Sequence, residues 1–422
     1  IFLIDTLRAD RLRPYAPESR VRTPGLDRYV QSATLFLEGH AQENWTKPSI
    51  ATLLSGLLPW EHTATAGESV LPRSVRILPE LLEEHAFQTA AFICNGYVSG
   101  DFGFRRGWGS YRNYIKEGRR TQARFVADDV LAWLDGRDTE RPFFLYVHTI
   151  DPHVPYIPPP ELLETYDPEP YDGPVDFRRD RELLEKIKSG QLRLGARDRR
   201  RLEALYDGEI TYHDVHMAAI LDGLERRGLA EETLVIITAD HGEEFFDHDS
   251  VGHGHSLYEE LLHVPFVIRM PGLGREGARI PEAVGLVDLA PTILDALGLE
   301  IPEAMSGRSL LPLLRHESES GPRLTVAGFM EGWRALIVGR RKLIQRTEER
   351  MMLFDLEADP QEREDLAAER PLELRTLRGL LGLALAGSEG ASMPAHRAER
   401  TQIDAETEAQ LRALGYVGSS RR

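Results

Sequence analysis

Cysteine is almost absent: Cys94 is the single one in 422 residues. One thiol excludes an intrachain disulfide and any multi-cysteine zinc centre, and it leaves the redox compartment open. Cys94 lies in the apolar run TAAFICN and reads as a core side chain. Long hydrophobic runs are missing too, and no stretch nears the roughly eighteen apolar residues of a membrane span. Positive charge is in deficit, with 51 Lys and Arg against 68 Asp and Glu for a formal net charge of −17. That balance argues against a general nucleic-acid binder, because phosphate backbones are neutralised by clustered cations. An anionic substrate would need a locally positive pocket made by a metal or a few basic residues. An initiator methionine and a leader are also lacking, since the chain opens inside the strand-like run IFLID. The expectation is that a signal peptide or anchor, and any membrane or cell-envelope association it brings, belongs to sequence ahead of Ile1.

What is present is an ordinary globular composition, 41% hydrophobic and 28% charged, in a chain long enough for one large domain with a smaller attachment. Short β-branched or aromatic runs alternate with longer amphipathic segments, the rhythm of an α/β fold with a mostly parallel sheet between helices. The strands read as IFLID, AAFICN, FFLYVHTID, TLVIITAD and PFVIRM. Four of them run into a polar residue at the C-terminal end: Asp5, Asn95, Asp151 and Asp240. Ligands bind at that edge of open α/β sheets, so four polar arrivals by separate routes point to a site. A helix is predicted from about Arg200 to Arg227. From LTVAG onward come short strands, ALIVG, KLIQ and MMLFDL, read as a small antiparallel sheet with a helix from about Pro371. Residues 157–200, rich in Pro, Asp and Arg, read as a surface excursion. The expected division is a catalytic domain over 1–315, a small-sheet subdomain over 316–386, and a linker with a short tail helix over 387–422.

The stretch NWTKPSIATLLSG places Thr46 at or just before the start of a helix that Pro48 opens and Gly56 ends. Backbone N–H groups and the positive end of the helix dipole gather there, which suits an anion or a hydroxyl about to become an alkoxide. The plain alternative is an N-cap threonine. TADHGEEF sets Asp240 and His241 side by side past a strand, and Asp5 is a second carboxylate at the same edge. DPHVPY adds Asp151 and His153; GHGHSLYEE adds His253 and His255. Asp and His are ligands for zinc or manganese, with carboxylates shifting the choice toward harder ions such as calcium. Thr46 oxygen would complete such a shell and be ionised by it.

These motifs, with LIDTLRADRL, LYDGEITYHD, LVDLAPTILDALG and LFDLEADPQEREDLA, resemble in order and spacing the sulfatase-like branch of the alkaline phosphatase superfamily. The resemblance implies a central sheet between helices, a small C-terminal antiparallel sheet, and a double displacement through a covalent enzyme intermediate assisted by one or two divalent ions. It also implies an extracytoplasmic location. It makes Asp5, Asp240 and His241 metal ligands with Thr46 as ligand and nucleophile, and gives Asp151 a place on a second ion. His153 and His255 become catalytic histidines, and Lys47, Asn95 and His253 substrate contacts.

The departures set the chemistry. Sulfatases of that family usually read Cys or Ser, any residue, Pro, Ser, Arg, and oxidise the first residue to formylglycine. This chain has Thr46, Lys47, Pro48, Ser49 and Ile50 there, and a threonine cannot yield that aldehyde. Thr6 also stands where many relatives have a second Asp, leaving the first metal site poorer in charge. The reading that follows is a hydrolase or transferase of phosphate esters or phosphodiesters. The alternatives are a sulfuric ester hydrolase working without formylglycine, or a non-catalytic relative that binds metal or glycan. His213 and His216, at i and i+3 on a helix, read as packing or surface. Arg8 and Asp10 read as turn stabilisers, Trp45 as a core residue, and Glu243, Glu244, Glu259 and Glu260 as solvated or structural.

Overall fold

The structure, a computed structural model, describes residues 1–273, 277–317, 321–330, 332–390 and 396–403, with only backbone described for 387–390. Eight strands build the main sheet: β1 (Phe2–Ile4), β2 (Thr34–His40), β3 (Gln88–Ile93), β4 (Ser110–Asn113), β5 (Phe143–Thr149), β6 (Val235–Ala239), β7 (Phe266–Arg269) and β8 (Arg279–Gly285). Their spatial order is β8-β2-β7-β6-β1-β5-β3-β4. All run parallel except β7, which is antiparallel to both neighbours. Every residue of β6 is buried, as expected of a strand covered on both faces by helices. Its neighbour β1 lies at the centre, paired with β5 on one side and β6 on the other.

Register then does the positioning. Ile4 pairs with Thr149 and with Ala239, so Asp5 and Asp240 leave adjacent strands at the same level. His148 pairs with Leu3 and lies one strand over from Asp5. Helix α1 (Thr46–Ser55) delivers the threonine. All ten of its residues are buried, and Gly56, at φ +67°, closes it with its N–H on the Thr52 carbonyl. That left-handed position is where a glycine ends a helix without strain. The helix starts at Thr46 rather than at Pro48, so the proline occupies its third position, where no intrahelical N–H is yet required. Helices α2 (Ala123–Gly136) and α3 (Ala196–Arg226) pack against each other, and the surface excursion contains helical turns at Pro160–Tyr166 and Leu183–Lys188.

The C-terminal sheet is antiparallel in chain order: β9 (Thr325–Phe329), β10 (Trp333–Val338), β11 (Arg341–Gln345) and β12 (Met351–Asp355). One face buries Ala327, Ile337 and Ile344 with Leu257 and Leu262 of the main domain. The other buries Leu336 and Leu343 under Leu377 and Leu381 of α4 (Pro371–Gly390). Lys342 is fully buried at this junction, with Nζ 2.7 Å from Glu259 Oε1 and 2.9 Å from Glu362 Oε1. Beside it Glu259 also meets His40 at 3.1 Å, and Arg340 pairs with Glu38.

Two sequence expectations differ here. Helix α4 runs past Gly387 into the segment read as linker. Glu399–Arg400 then pairs antiparallel with Ser69–Val70, and Thr401 N–H bonds the Glu68 carbonyl. The expected tail helix lies outside the described residues.

Candidate active site

Asp5 is fully buried, and its carboxylate is held from one side only. Oδ2 accepts from Asn95 Nδ2 at 2.8 Å and meets His148 Nε2 at 3.1 Å. Oδ1 has no hydrogen-bond partner among the described residues. Asp240 mirrors this arrangement: Oδ1 accepts the N–H of Thr6 at 3.1 Å and of His241 at 3.0 Å, while Oδ2 is left over. The polypeptide is bent to allow it. Thr6 sits at φ +57°, a strained position for a β-branched residue, and Tyr206 fixes it by donating its hydroxyl to the Thr6 carbonyl at 2.6 Å.

Thr46 joins the same cluster. Its Oγ accepts from Asn95 Nδ2 at 3.3 Å and lies 3.4 Å from His241 Nε2. His241 gives its Nδ1–H to the Gly242 carbonyl at 2.8 Å, which turns Nε2 toward the hydroxyl and toward Asp240 Oδ2, 3.4 Å away. As the first helical residue, Thr46 lies at the positive end of the α1 dipole, with Trp45 as the cap.

Two buried carboxylates, each with an unsatisfied oxygen, make a site short of positive charge. Burial pushes the Asp5 pKa well above its ordinary value, and the Asp240 charge pushes it further. The donor chemistry fits a divalent cation: ligand atoms of Asp5, His148 and Asp240 lie within 4.8 Å of one another, and both spare oxygens belong to that group of residues. His148 was not read from the sequence. Its Nε2 lies 3.1 Å from Asp5 Oδ2 and its Nδ1 3.2 Å from the Tyr146 hydroxyl, and burial lowers its pKa to about 4. The available signal was a lone imidazole inside an apolar strand beside the Asp5 strand.

Around this centre stand three further imidazoles. His153 donates Nδ1–H to the Val154 carbonyl at 2.7 Å, and burial takes its pKa down to about 3. Its ring lies 5.1 Å from that of His253, which in turn lies 4.5 Å from that of His241. Burial, then His241 and Lys188, holds the His253 pKa well below the ordinary value. Glu243 holds His253 Nδ1 at 2.8 Å. Glu244 holds His255 Nε2 at 2.6 Å.

The structure places three sequence-named residues differently. Lys47 donates to the carbonyls of Ala66, Gly67 and Ser69 at 2.6, 2.7 and 2.7 Å, under the rings of Phe102, Tyr97 and Trp45. Its three donors are spent on that turn, so it has none for a substrate oxygen. Asp151 accepts the Ala123 N–H at 2.7 Å at the start of α2, and burial raises its pKa to about 7. His255 is committed to Glu244 rather than to the Thr46 cluster. Of the bystanders, His213 is packed against Thr149 Oγ at 2.8 Å. Arg8, read as a turn stabiliser, is buried and bridges Asp10 and Asp247. Cys94 is a core residue as read.

Comparison with known proteins adds the following. The family model described as Sulfatase matches residues 1–299, and one described as N-sulphoglucosamine sulphohydrolase, C-terminal, matches 245–376. An arylsulfatase of Clostridium perfringens is 31% identical over 313 residues, covering 70% of this chain. This chain spans 62% of that relative's length. Among solved structures, a protein in complex with its substrate D-glucosamine-2-N,6-O-disulfate superposes with a TM-score of 0.80 at 19% identity, covering 93% of this chain and 98% of the other. A phosphonate monoester hydrolase from Silicibacter pomeroyi gives 0.76 at 21%, covering 95% and 98%. Both share the fold. Among the described residues, no helix is long and apolar enough to cross a membrane.

Proposed function

On the premise that this chain belongs to the sulfatase family, we propose that it is a metal-dependent hydrolase or transferase of phosphate esters or phosphodiesters acting through a covalent intermediate on Thr46. The observation that carries the reading is the nucleophile position. It holds a threonine, buried at a helix N-terminus, with its hydroxyl 3.3 Å from Asn95 Nδ2 and 3.4 Å from His241 Nε2. The methyl on Cβ closes the route to an aldehyde, whereas in-line displacement at phosphorus asks only for a positioned oxygen.

In that displacement Thr46 Oγ attacks phosphorus, and the bond from phosphorus to the departing oxygen breaks. Asn95 holds Asp5 and Thr46 at once, so one amide fixes the nucleophile relative to the carboxylate pair. The N–H groups of the first turn of α1 face charge developing on the transferred group. Asp5, Asp240 and His241 would hold a divalent ion, zinc or manganese before calcium, and a bound ion supplies Lewis-acid polarisation and favours the ionised hydroxyl. The sulfatase family reading also carries the expectation of an extracytoplasmic protein.

A sulfuric ester hydrolase is the second reading, favoured by the name of the Clostridium perfringens relative. The deciding experiment compares turnover of nitrophenyl phosphate, bis(nitrophenyl) phosphate, a nitrophenyl phosphonate and nitrophenyl sulfate, with zinc or manganese, for the native chain and Thr46→Ala. Faster cleavage of a phosphorus ester, lost in the variant, is the expected result. Preference for sulfate supports the second reading, and full activity in Thr46→Ala removes the covalent intermediate. Metal binding with no turnover of any ester points to a binding relative.

A further inference from the structure

His248 lies outside the Thr46 cluster, in the turn of a hairpin whose strands are Glu244–Phe245 and Val251–Gly252. Both of its ring nitrogens meet oxygens: Nδ1 is 2.7 Å from Glu260 Oε1, and Nε2 is 3.1 Å from the backbone carbonyl of Glu362. A carboxylate and a carbonyl only accept, so each contact is a hydrogen bond only when its nitrogen carries a hydrogen. Both bonds together therefore require the imidazolium. The Tyr258 ring stacks on it, with centroids 3.6 Å apart and planes 4° from parallel, and an aromatic face favours a cation. Burial opposes the charge, but Glu260 and then Glu362 outweigh it and hold the His248 pKa above its ordinary value.

The partners come from separate parts of the chain. Tyr258 caps the helical turn Glu259–Leu262, which carries Glu260, and Glu362 lies on the loop between β12 and α4. From the hairpin itself, Glu244 Oε1 accepts the N–H groups of His248 and Ser250 at 2.9 and 2.7 Å, and its Oε2 meets His255 Nε2 at 2.6 Å. The Glu362 carboxylate is turned to Lys342 and to the Glu259 N–H, and Lys342 and Arg346 bear electrostatically on Tyr258. Beyond Gly252 the hairpin runs into the GHGH loop. There the Gly254 N–H bonds the Asn44 carbonyl at 3.1 Å, and Asn44 Nδ2 bonds the Ser256 carbonyl at 2.6 Å. Asn44 stands two residues ahead of Thr46. One histidine thus joins the C-terminal loop to the hairpin that leads to the nucleophile segment.

We propose that His248 is a pH-sensitive latch: as imidazolium it fastens the 244–252 hairpin to the C-terminal loop at Glu362, and as a neutral ring it lets that loop go. When one proton leaves to solvent, the remaining hydrogen stays on Nδ1, where the carboxylate makes the stronger bond. Nε2 then turns a lone pair toward the Glu362 carbonyl, and that contact becomes repulsive. A folded pKa above the unfolded one sets the sign. The latch is complete below the ordinary histidine value of about 6.5 and is lost as pH rises through the folded value. None of this depends on the chemistry assigned to Thr46.

Imidazole ¹⁵N–¹H correlation spectra of the full chain with zinc present, recorded from about pH 5 to pH 9, test this, with His248→Gln identifying the signal. His248 is expected to carry a hydrogen on both nitrogens at the acid end and to lose the one on Nε2 with a midpoint above about 6.5. Hydrogen exchange of peptides from 244–256, corrected for the intrinsic effect of pH, is followed on the native chain in parallel. Its protection should fall about 3- to 10-fold across the same titration, the change of one lost hydrogen bond. Glutamine at this position still donates but does not titrate, so His248→Gln should show protection that pH leaves unchanged. A His248 ring already neutral at pH 6, or native protection that stays constant while the ring titrates, overturns the latch. So does a His248→Gln chain that keeps the native decline, because another group then governs the hairpin.

Discussion

Replacing Lys342 by methionine takes one charge out of the seam between the C-terminal sheet and the main domain. The ammonium and the Glu362 carboxylate are fully buried and the Glu259 side chain is 11% exposed, so the two anions stranded by the change have little water to turn to. Breaking a buried pair from one side costs about 3 to 5 kcal/mol. The lower end applies here for two reasons visible in the contacts. Glu259 keeps His40 at 3.1 Å, and Glu362, whose pKa burial already raises, takes up a proton. With an unfolding entropy of roughly 0.9 kcal/mol/K for a chain of this length, about 3 kcal/mol lowers Tm by ~3 °C. Urea unfolding followed by tryptophan fluorescence, with Trp333 on β10 as the local probe, measures the loss. Adding Glu362→Gln removes one stranded carboxylate and should return about 1 to 2 kcal/mol. A Lys342→Met chain within about 0.5 kcal/mol of the parent, or a double variant weaker than the single, would refute the assignment of this charge as the seam's anchor.

Three more outcomes follow from the site. Asn95→Ala removes donors to Asp5 and Thr46 together and should lower kcat about 10- to 100-fold, with KM moved less, in steady-state assays. Asp151 has a folded pKa raised from 3.8 to about 7, so the folded chain binds the extra proton in between and loses stability as pH rises through that window. Asp151→Asn keeps an acceptor for the Ala123 N–H and should flatten the Tm decline between about pH 4 and pH 7; an unchanged profile counts against the assignment. Chelation should lower Tm and manganese or zinc should restore it, by about 2.7 kcal/mol at a hundredfold excess over Kd, an effect that Asp240→Asn should abolish.

Five interior strands were legible as short apolar runs, four of them ending in a polar residue. The sheet's rims were not. Ser110–Asn113 is polar and partly exposed, and Arg279–Gly285 carries Pro281 and Glu282 on an outer strand, where such residues discourage edge pairing. Interior strand Thr34–His40 escaped notice because Glu38 and His40 point into the ion network of the seam, which only the folded chain explains. In the site, Asp5, Asn95 and Asp240 were readable as strand-end residues, His241 from its place beside Asp240 and Thr46 from its helix start, and the structure brings them together. Lys47 and Asp151 carried the right chemistry in the right stretch, but side-chain direction cannot be read from adjacency. Glu243, read as solvated or structural, is fully buried.

The short ladder between Ser69–Val70 and Glu399–Arg400 has a consequence for biosynthesis. The turn it borders supplies the carbonyls that grip Lys47, the residue after the nucleophile. Its two halves leave the ribosome roughly 330 residues apart, which at ~5–20 residues per second is about 15 to 65 s. The sheet can form in that interval, but the flank of Thr46 stays unfastened until the later strand is made, so a nascent chain acquires its fold before it acquires a fully braced nucleophile.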